Sequence, residues 1–224
     1  MRLRRSPDRR RARQLAHTTE GPLRDYLSRP FPDPSQPHST LRLLAVDLET
    51  TGLEPARDHI LSIGFVPVDG LRIVLSGARQ LVVRSDAEVG QSAVIHGLTD
   101  DAVAAGVPLA DALAALLAAL AGRVLLAHHA TIEREFLSAA CERVLGGPLP
   151  CLSVDTMALE QRLLGRGWGD EPPPGSLRLS AARERHGLPR YRSHEALTDA
   201  LACAELYLAQ AGDLGRVLTL RQLL

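Results

Sequence analysis

An apolar run that carries two acids constrains this chain more than any other feature. Residues 41–48 read LRLLAVDL, and Glu49 follows. Leu41, Leu43, Leu44, Ala45, Val46 and Leu48 have the composition and length of a buried strand. Strand side chains alternate between faces, so Asp47 and Glu49 point the same way, with Cα atoms roughly 6.6 Å apart. Two carboxylates side by side at the end of a core strand lose hydration and repel each other. Arginine partners, protonation or bound cations would relieve them. Arg42 belongs to the even-numbered face and points away from the pair. A cation is the economical answer, and hard oxygen ligands favour Mg²⁺ or Mn²⁺ over zinc. The other possibility is that the pair caps the turn made by TTGLEP.

The remaining pattern builds a sheet around that strand. HILSIGFVPVDG and LRIVLSGARQLVVRS are apolar, β-branched runs joined at Asp69-Gly70. Asp-Gly between two such runs is a hairpin signal, so three antiparallel strands open the domain. GLTDDAVAAGVPLADALAALLAALAG predicts one helix, with Thr99 as N-cap and Gly122 as stop. RVLLAH is a short buried strand, ATIEREFLSAACERVLG a helix, and LSVDTMALEQRLL a strand end running into a helix. Residues 165–176 hold four Gly and three Pro, which predicts a mobile loop. Helices follow over roughly 177–186, 194–211 and 213–223. Strands first, then strands alternating with helices, predict an α/β fold with a mixed sheet covered by helices.

Bulk properties exclude several classes. No run of 18 apolar residues exists, so no membrane partner or span is expected. The three cysteines, Cys141, Cys151 and Cys203, form no disulfide framework or metal-ligand pattern, which fits a cytoplasmic location. The 26 basic residues, all arginine, balance 26 acidic ones, but unevenly. Residues 1–13 hold seven arginines and one aspartate, a charge of about +6, leaving about −6 on the rest. The basic segment is either a solvated arm or a phosphate contact. Residues 1–40, rich in Pro and Ser after that segment, are expected to form an extension and linker, with the compact domain over 41–224.

Two further acids join Asp47 and Glu49. In the helix after LLAHHA, Phe136, Leu137, Ala140 and Val144 form one stripe at 100° per residue, and Glu133 lies within it. Glu135 and Glu142 lie on the opposite side. An acid in the first turn suits the helix dipole, but that does not explain its place on the apolar face. In YRSHEALTDALACAELYLAQ, Ser193 can cap a helix whose core stripe is expected to be Leu197, Leu201, Ala204 and Leu208. Asp199 lies on the other side, beside Cys203 and Leu206. His194 precedes it by five residues, and taken alone is a surface or capping histidine.

VDLETTG, LLAHHATIEREFL and HEALTDA resemble, in order, the three motifs of the DnaQ-like (DEDDh) 3′–5′ exonucleases. That group includes the epsilon proofreading subunit of bacterial replicative polymerase, oligoribonuclease and RNase T. The resemblance covers about residues 41–210, and VIHGLTDD at 94–101 is similar to the family's segment between the first two motifs. It implies a ribonuclease-H-like, five-stranded mixed sheet. It implies that Asp47, Glu49, Glu133 and Asp199 bind two divalent cations, Mg²⁺ or Mn²⁺, with His194 as general base. It also implies that Thr50, Thr51, Gly52 and Leu53 cradle the 3′-terminal nucleotide, with His96 as a further lining residue. The substrate so implied is a nucleic-acid 3′ end, single-stranded or frayed DNA first and RNA or oligoribonucleotide second, with a polymerase or repair protein as partner. Three positions depart from the family: His129 replaces Asn, Ile132 replaces Phe, and Glu133 replaces Asp. Those departures feed a rival reading, a non-catalytic nucleic-acid or polymerase-binding module on a nuclease fold.

Overall fold

The computed structural model describes residues 7–85, 100–165, 172–192, 194–214 and 217–224. Its centre is β1 (Arg42–Thr50), which pairs antiparallel with β2 (Ile60–Asp69) and parallel with β5 (Val124–Ala127). The other edge of β5 carries β6 (Ser153–Asp155), also parallel. The other edge of β2 carries two short antiparallel strands, β3 (Arg72–Ile73) and β4 (Arg79–Val82). A single 3₁₀ turn, Leu75–Gly77, separates them. The predicted third strand is therefore two pieces in one position, and the five-position sheet counts six strands. The Asp69-Gly70 hairpin forms as expected, with Asp69 opposite Arg72.

Alternation along β1 sorts the core into two layers. Leu44 and Val46 face one side and pack with Ile63, Phe65, α4 (Leu109–Leu120) and α5 (Thr131–Leu145). Leu41, Leu43 and Ala45 face the other side and pack with Val66, Val68, α6 (Thr156–Leu164) and α8 (Ala196–Asp213). Each fully buried leucine contributes about 1.5–3 kcal/mol, so either layer alone is a sizeable driving force. Asp47 and Glu49 continue the odd-numbered row and so lie on the α8 side.

Three local predictions change. The helix expected over 97–122 is broken into α3 (Asp100–Ala104) and α4. Between them Val107 bridges Val83, donating its N–H to Val82 O at 2.9 Å. Gly106 permits this approach, since a Cβ there would lie 2.7–2.8 Å from the backbone of residues 82–84. Thr99 lies outside the described residues. The second change is the buried stripe of α8, which is Ala200, Cys203, Ala204 and Tyr207, not the leucine stripe; Leu197, Leu201 and Leu208 are only half-buried. Small side chains let this helix lie close on the sheet. The third is in α5, where Cys141 is buried and Val144 is exposed.

The segment set apart in the sequence as an extension packs on the domain. It forms α1 (Pro7–Leu15) and α2 (Pro22–Ser28). Leu23, Tyr26 and Leu27 of α2 are buried in the same cluster as Leu113, Leu117 and Leu137. The Tyr26 hydroxyl donates to Pro150 O at 2.9 Å, and Gln14 Nε2 to Pro148 O at 2.5 Å. Arg11 turns inward to Asp8, the carbonyl of Leu27 and the Phe31 ring. Two shorter helices, α7 (Leu179–Arg185) and α9 (Leu220–Leu223), complete the described elements. No helix among the described residues is long and apolar enough to cross a membrane.

Candidate active site

The end of β1 brings the strand pair to α8. Oxygen atoms of Asp47, Glu49 and Asp199 lie within 4.8 Å of one another, a spacing that could hold a metal ion. A glycine makes this approach possible. Asp47 is paired with Gly64 on β2, and cross-strand partners share a face. A Cβ on Gly64 would overlap the backbone of Ala196 and Leu197 in the first turn of α8. The missing side chain lets that turn settle on the sheet beside Asp47, three residues before Asp199. Nothing in the sequence marks Gly64 except a small residue inside an otherwise apolar strand.

Electrostatics show three mutually repelling acids and a fourth close by. Burial, followed by the charges of Glu133, Asp199 and Glu49, holds the Asp47 carboxyl well above its usual range. Burial and the Asp199 charge raise Glu49 to about 7. Glu133, only 5 % exposed, is raised to about 8 by burial, with Asp155 adding to the shift and its own N–H opposing it. Burial raises Asp199 too, against hydrogen bonds from the backbone of His194 and Glu195. Glu133 stands outside the set of three, yet its charge reaches Asp47. Its Oε2 is buried without a hydrogen-bond partner. A buried carboxylate oxygen without a donor, beside three further acids, is an arrangement that could hold cations. Oxygen-only donors suit Mg²⁺ or Mn²⁺.

Two left-handed residues hold the loops on either side. His129, with φ 71°, is at the turn into α5, and histidine is among the residues that tolerate this region. Asp155 locks that turn by accepting from the N–H of His129 at 2.9 Å and of Ala130 at 3.1 Å, while also capping α6 through Met157 N–H. That fixes where Glu133 emerges. His128 behind it lies between the Thr156 hydroxyl (2.9 Å) and Leu177 O (2.8 Å), and burial lowers its basicity. His194, with φ 73°, is exposed, and its backbone N–H donates to Asp199 Oδ2 at 2.7 Å. This bond ties the histidine to the site without engaging its ring. Ser193 and His96 lie outside the described residues.

The loop after β1 is organised by Asp58, which the sequence did not single out. Its carboxylate accepts from the Thr51 hydroxyl at 3.0 Å and the Glu54 N–H at 2.7 Å. Thr50 Oγ1 donates to Gly52 O at 2.6 Å. Leu53 is left 78 % exposed in this loop.

A family model described as exonuclease (RNase T) matches residues 44–207, a span that holds Asp47, Glu49, Glu133, His194 and Asp199. The chain belongs to this exonuclease family. The PolC-type DNA polymerase III of Thermotoga maritima is 30 % identical over 166 residues, covering 74 % of this chain and 11 % of that protein. The chain thus spans about a tenth of the PolC-type relative. The DNA polymerase III subunit epsilon of Treponema pallidum is 30 % identical over 173 residues, covering 76 % of each. Among solved structures, E. coli exonuclease I with single-stranded DNA aligns with a TM-score of 0.68 at 17 % identity, covering 79 % of this exonuclease and 42 % of that chain. Cell-death related nuclease 4 aligns with a TM-score of 0.67 at 14 % identity, over 80 % and 67 % of the two chains. These structural likenesses support the ribonuclease-H-like sheet and its helical layers.

Proposed function

We propose that this exonuclease is a 3′–5′ enzyme of the two-metal type, which removes nucleoside 5′-monophosphates from a single-stranded or frayed DNA 3′ end. The observation that carries the reading is the convergence of Asp47, Glu49 and Asp199 within 4.8 Å beside a buried, donor-free Glu133 oxygen. Bound divalent cations would neutralise the phosphodiester, acidify the attacking water and stabilise the leaving oxygen. Asp47, Glu49 and Asp199 would hold them, with Asp47 central to the other three acids. Glu133 would contribute directly or through water. The added methylene of Glu133, relative to the family's Asp, suits its place outside the closer set of three.

His194, whose backbone is bonded to Asp199 at the site, takes the proton from the attacking water. The water oxygen bonds to phosphorus, and the 3′ oxygen of the penultimate sugar departs with a proton. Thr50, Thr51, Gly52 and Leu53 hold the terminal nucleotide, with the exposed Leu53 side chain wedged against its base. A polymerase partner belongs to the same reading, supported by the likeness to the DNA polymerase III epsilon subunit and the PolC-type polymerase.

The test is degradation of 3′- and 5′-labelled single-stranded DNA, duplex DNA and RNA with Mg²⁺, Mn²⁺ or EDTA. Metal-dependent release of 5′-mononucleotides from the 3′ end is the expected result, fastest on single-stranded DNA. Preference for RNA moves the substrate, and binding without release moves the protein to a non-catalytic module.

A further inference from the structure

The arginine face of α1 has no part in the site above. Four arginines lie in this nine-residue helix. Arg11 is consumed inside the protein, against Asp8, Leu27 O and Phe31. Arg24 from α2 closes the helix end by donating to Leu15 O at 3.0 Å and Thr18 O at 2.7 Å. Arg9, Arg10 and Arg13 point outward and are exposed. With Gln14 and His17 they line a groove of about 390 Å³.

The groove lies at the far end of the domain from the carboxylates. Gln14 is bonded to Pro148, just beyond the C-terminus of α5, whereas Glu133 is in the first turn of α5. Twelve residues of that helix, from Glu133 to Leu145, separate the two by about 18 Å. Outside residues 1–13 the chain is net acidic by about six charges. These exposed arginines are thus a local attraction for a phosphate chain that the rest of the chain, by net charge, does not offer, with arginine forks suited to phosphate oxygens.

We propose that Arg9, Arg10 and Arg13 form a second, sequence-independent phosphate-binding surface for the body of the nucleic acid whose 3′ end occupies the carboxylate site. Nucleic acid is favoured over an acidic protein because the groove lies on the same molecule as a site built for a nucleic-acid terminus, and the proposal rests on that functional reading. It carries a length rule. At the stacked spacing of about 3.4 Å per nucleotide, roughly five nucleotides span those 18 Å, and an extended strand needs fewer. A dinucleotide cannot occupy both places.

The test compares the wild type with Arg9→Gln/Arg10→Gln/Arg13→Gln on a dinucleotide and a 30-mer of single-stranded DNA. Binding is measured by fluorescence anisotropy in EDTA, and turnover in Mg²⁺. The variant should bind the 30-mer about tenfold more weakly, with its salt slope reduced by about 2, since three single-strand phosphate contacts are lost. Its kcat and KM on the dinucleotide should stay within twofold, with an unchanged Tm. Equal effects on both lengths, or none on the 30-mer, would overturn the proposal. So would poly-L-glutamate displacing the 30-mer at equal charge concentration, which would mark an acidic-protein surface. If neither protein cleaves any oligomer but the anisotropy difference persists, the catalytic reading fails and this surface stands.

Discussion

Glu160 and Asp47 are both acids enclosed where α6–α8 meet the sheet, and the protein treats them oppositely. Glu160, 1 % exposed, accepts from Arg185 Nε at 2.8 Å, His186 Nε2 at 2.9 Å and Gln210 Nε2 at 2.8 Å. Burial pushes its carboxyl up, but donors from Gln210, His186 and Arg185 outweigh burial and hold it below its usual value. Asp47 has no such shell. Its neighbours are Glu133, Asp199 and Glu49, and each raises it further. An acid buried for stability comes with its donors, whereas an acid ringed by three further acids is held there for something that arrives later.

The sharpest way to break that contrast is to neutralise one acid of each kind. Asp47→Asn should lower kcat about a thousandfold or more, because several kcal/mol of transition-state charge stabilisation is lost. Its Tm should hold or rise, since a repulsion is removed. His194→Ala should cost about 10²–10⁴-fold in kcat, the range of a general base. A wild-type rate at pH 7 would remove His194 from the mechanism. Gly64→Ala should cost about a hundredfold in kcat by lifting the first turn of α8, and with it Asp199, off the sheet. Unfolding in urea should register a loss of about 1–3 kcal/mol.

Glu160→Ala should do the reverse. It leaves buried donors on Arg185, His186 and Gln210 unmatched and should cost about 3–5 kcal/mol in urea unfolding, with kcat of the folded fraction within a fewfold. The pH dependences should also oppose each other. Glu49 and Glu133 have folded values raised to about 7 and about 8, so in the metal-free protein the folded state binds extra protons between about pH 4.5 and 8. Stability should therefore fall as pH rises through that window. Glu160, held low, contributes stability that is present above its unfolded value and lost on acidification. Mn²⁺ at a hundredfold excess over its Kd should raise Tm at pH 8 by about 5–10 °C. A scan showing no metal effect at pH 8 would place the cluster with Glu160 as a structural feature.

Much of this contrast was legible in the sequence. Period two put Asp47 and Glu49 on one face, and period 3.6 put Glu133 on an apolar stripe. These are local regularities, and local geometry sets them. The missing part depends on what lies across the fold. Gly64 matters only because α8 crosses it, and Asp155 only because β6 ends beside the turn into α5. His129, a departure from the family's Asn, is at a left-handed turn whose φ is not written in any pattern. The leucines of α8 suggested the wrong stripe because nearly every face of that helix is apolar. α2 gave no signal of burial, since seven residues between Pro22 and Ser28 are too short for periodicity to speak. The loop from 50 to 53 was named through resemblance, while Asp58, which holds it, was found in the structure.

The central claim is that the four acids are assembled for cations. Mn²⁺ titration of metal-free protein at pH 7.5, followed by electron paramagnetic resonance, tests it most directly. Two bound ions per chain in the wild type, with binding lost in Asp47→Asn and intact in Glu160→Gln, is the predicted result. Binding that is absent in the wild type, or unchanged by Asp47→Asn, would contradict it.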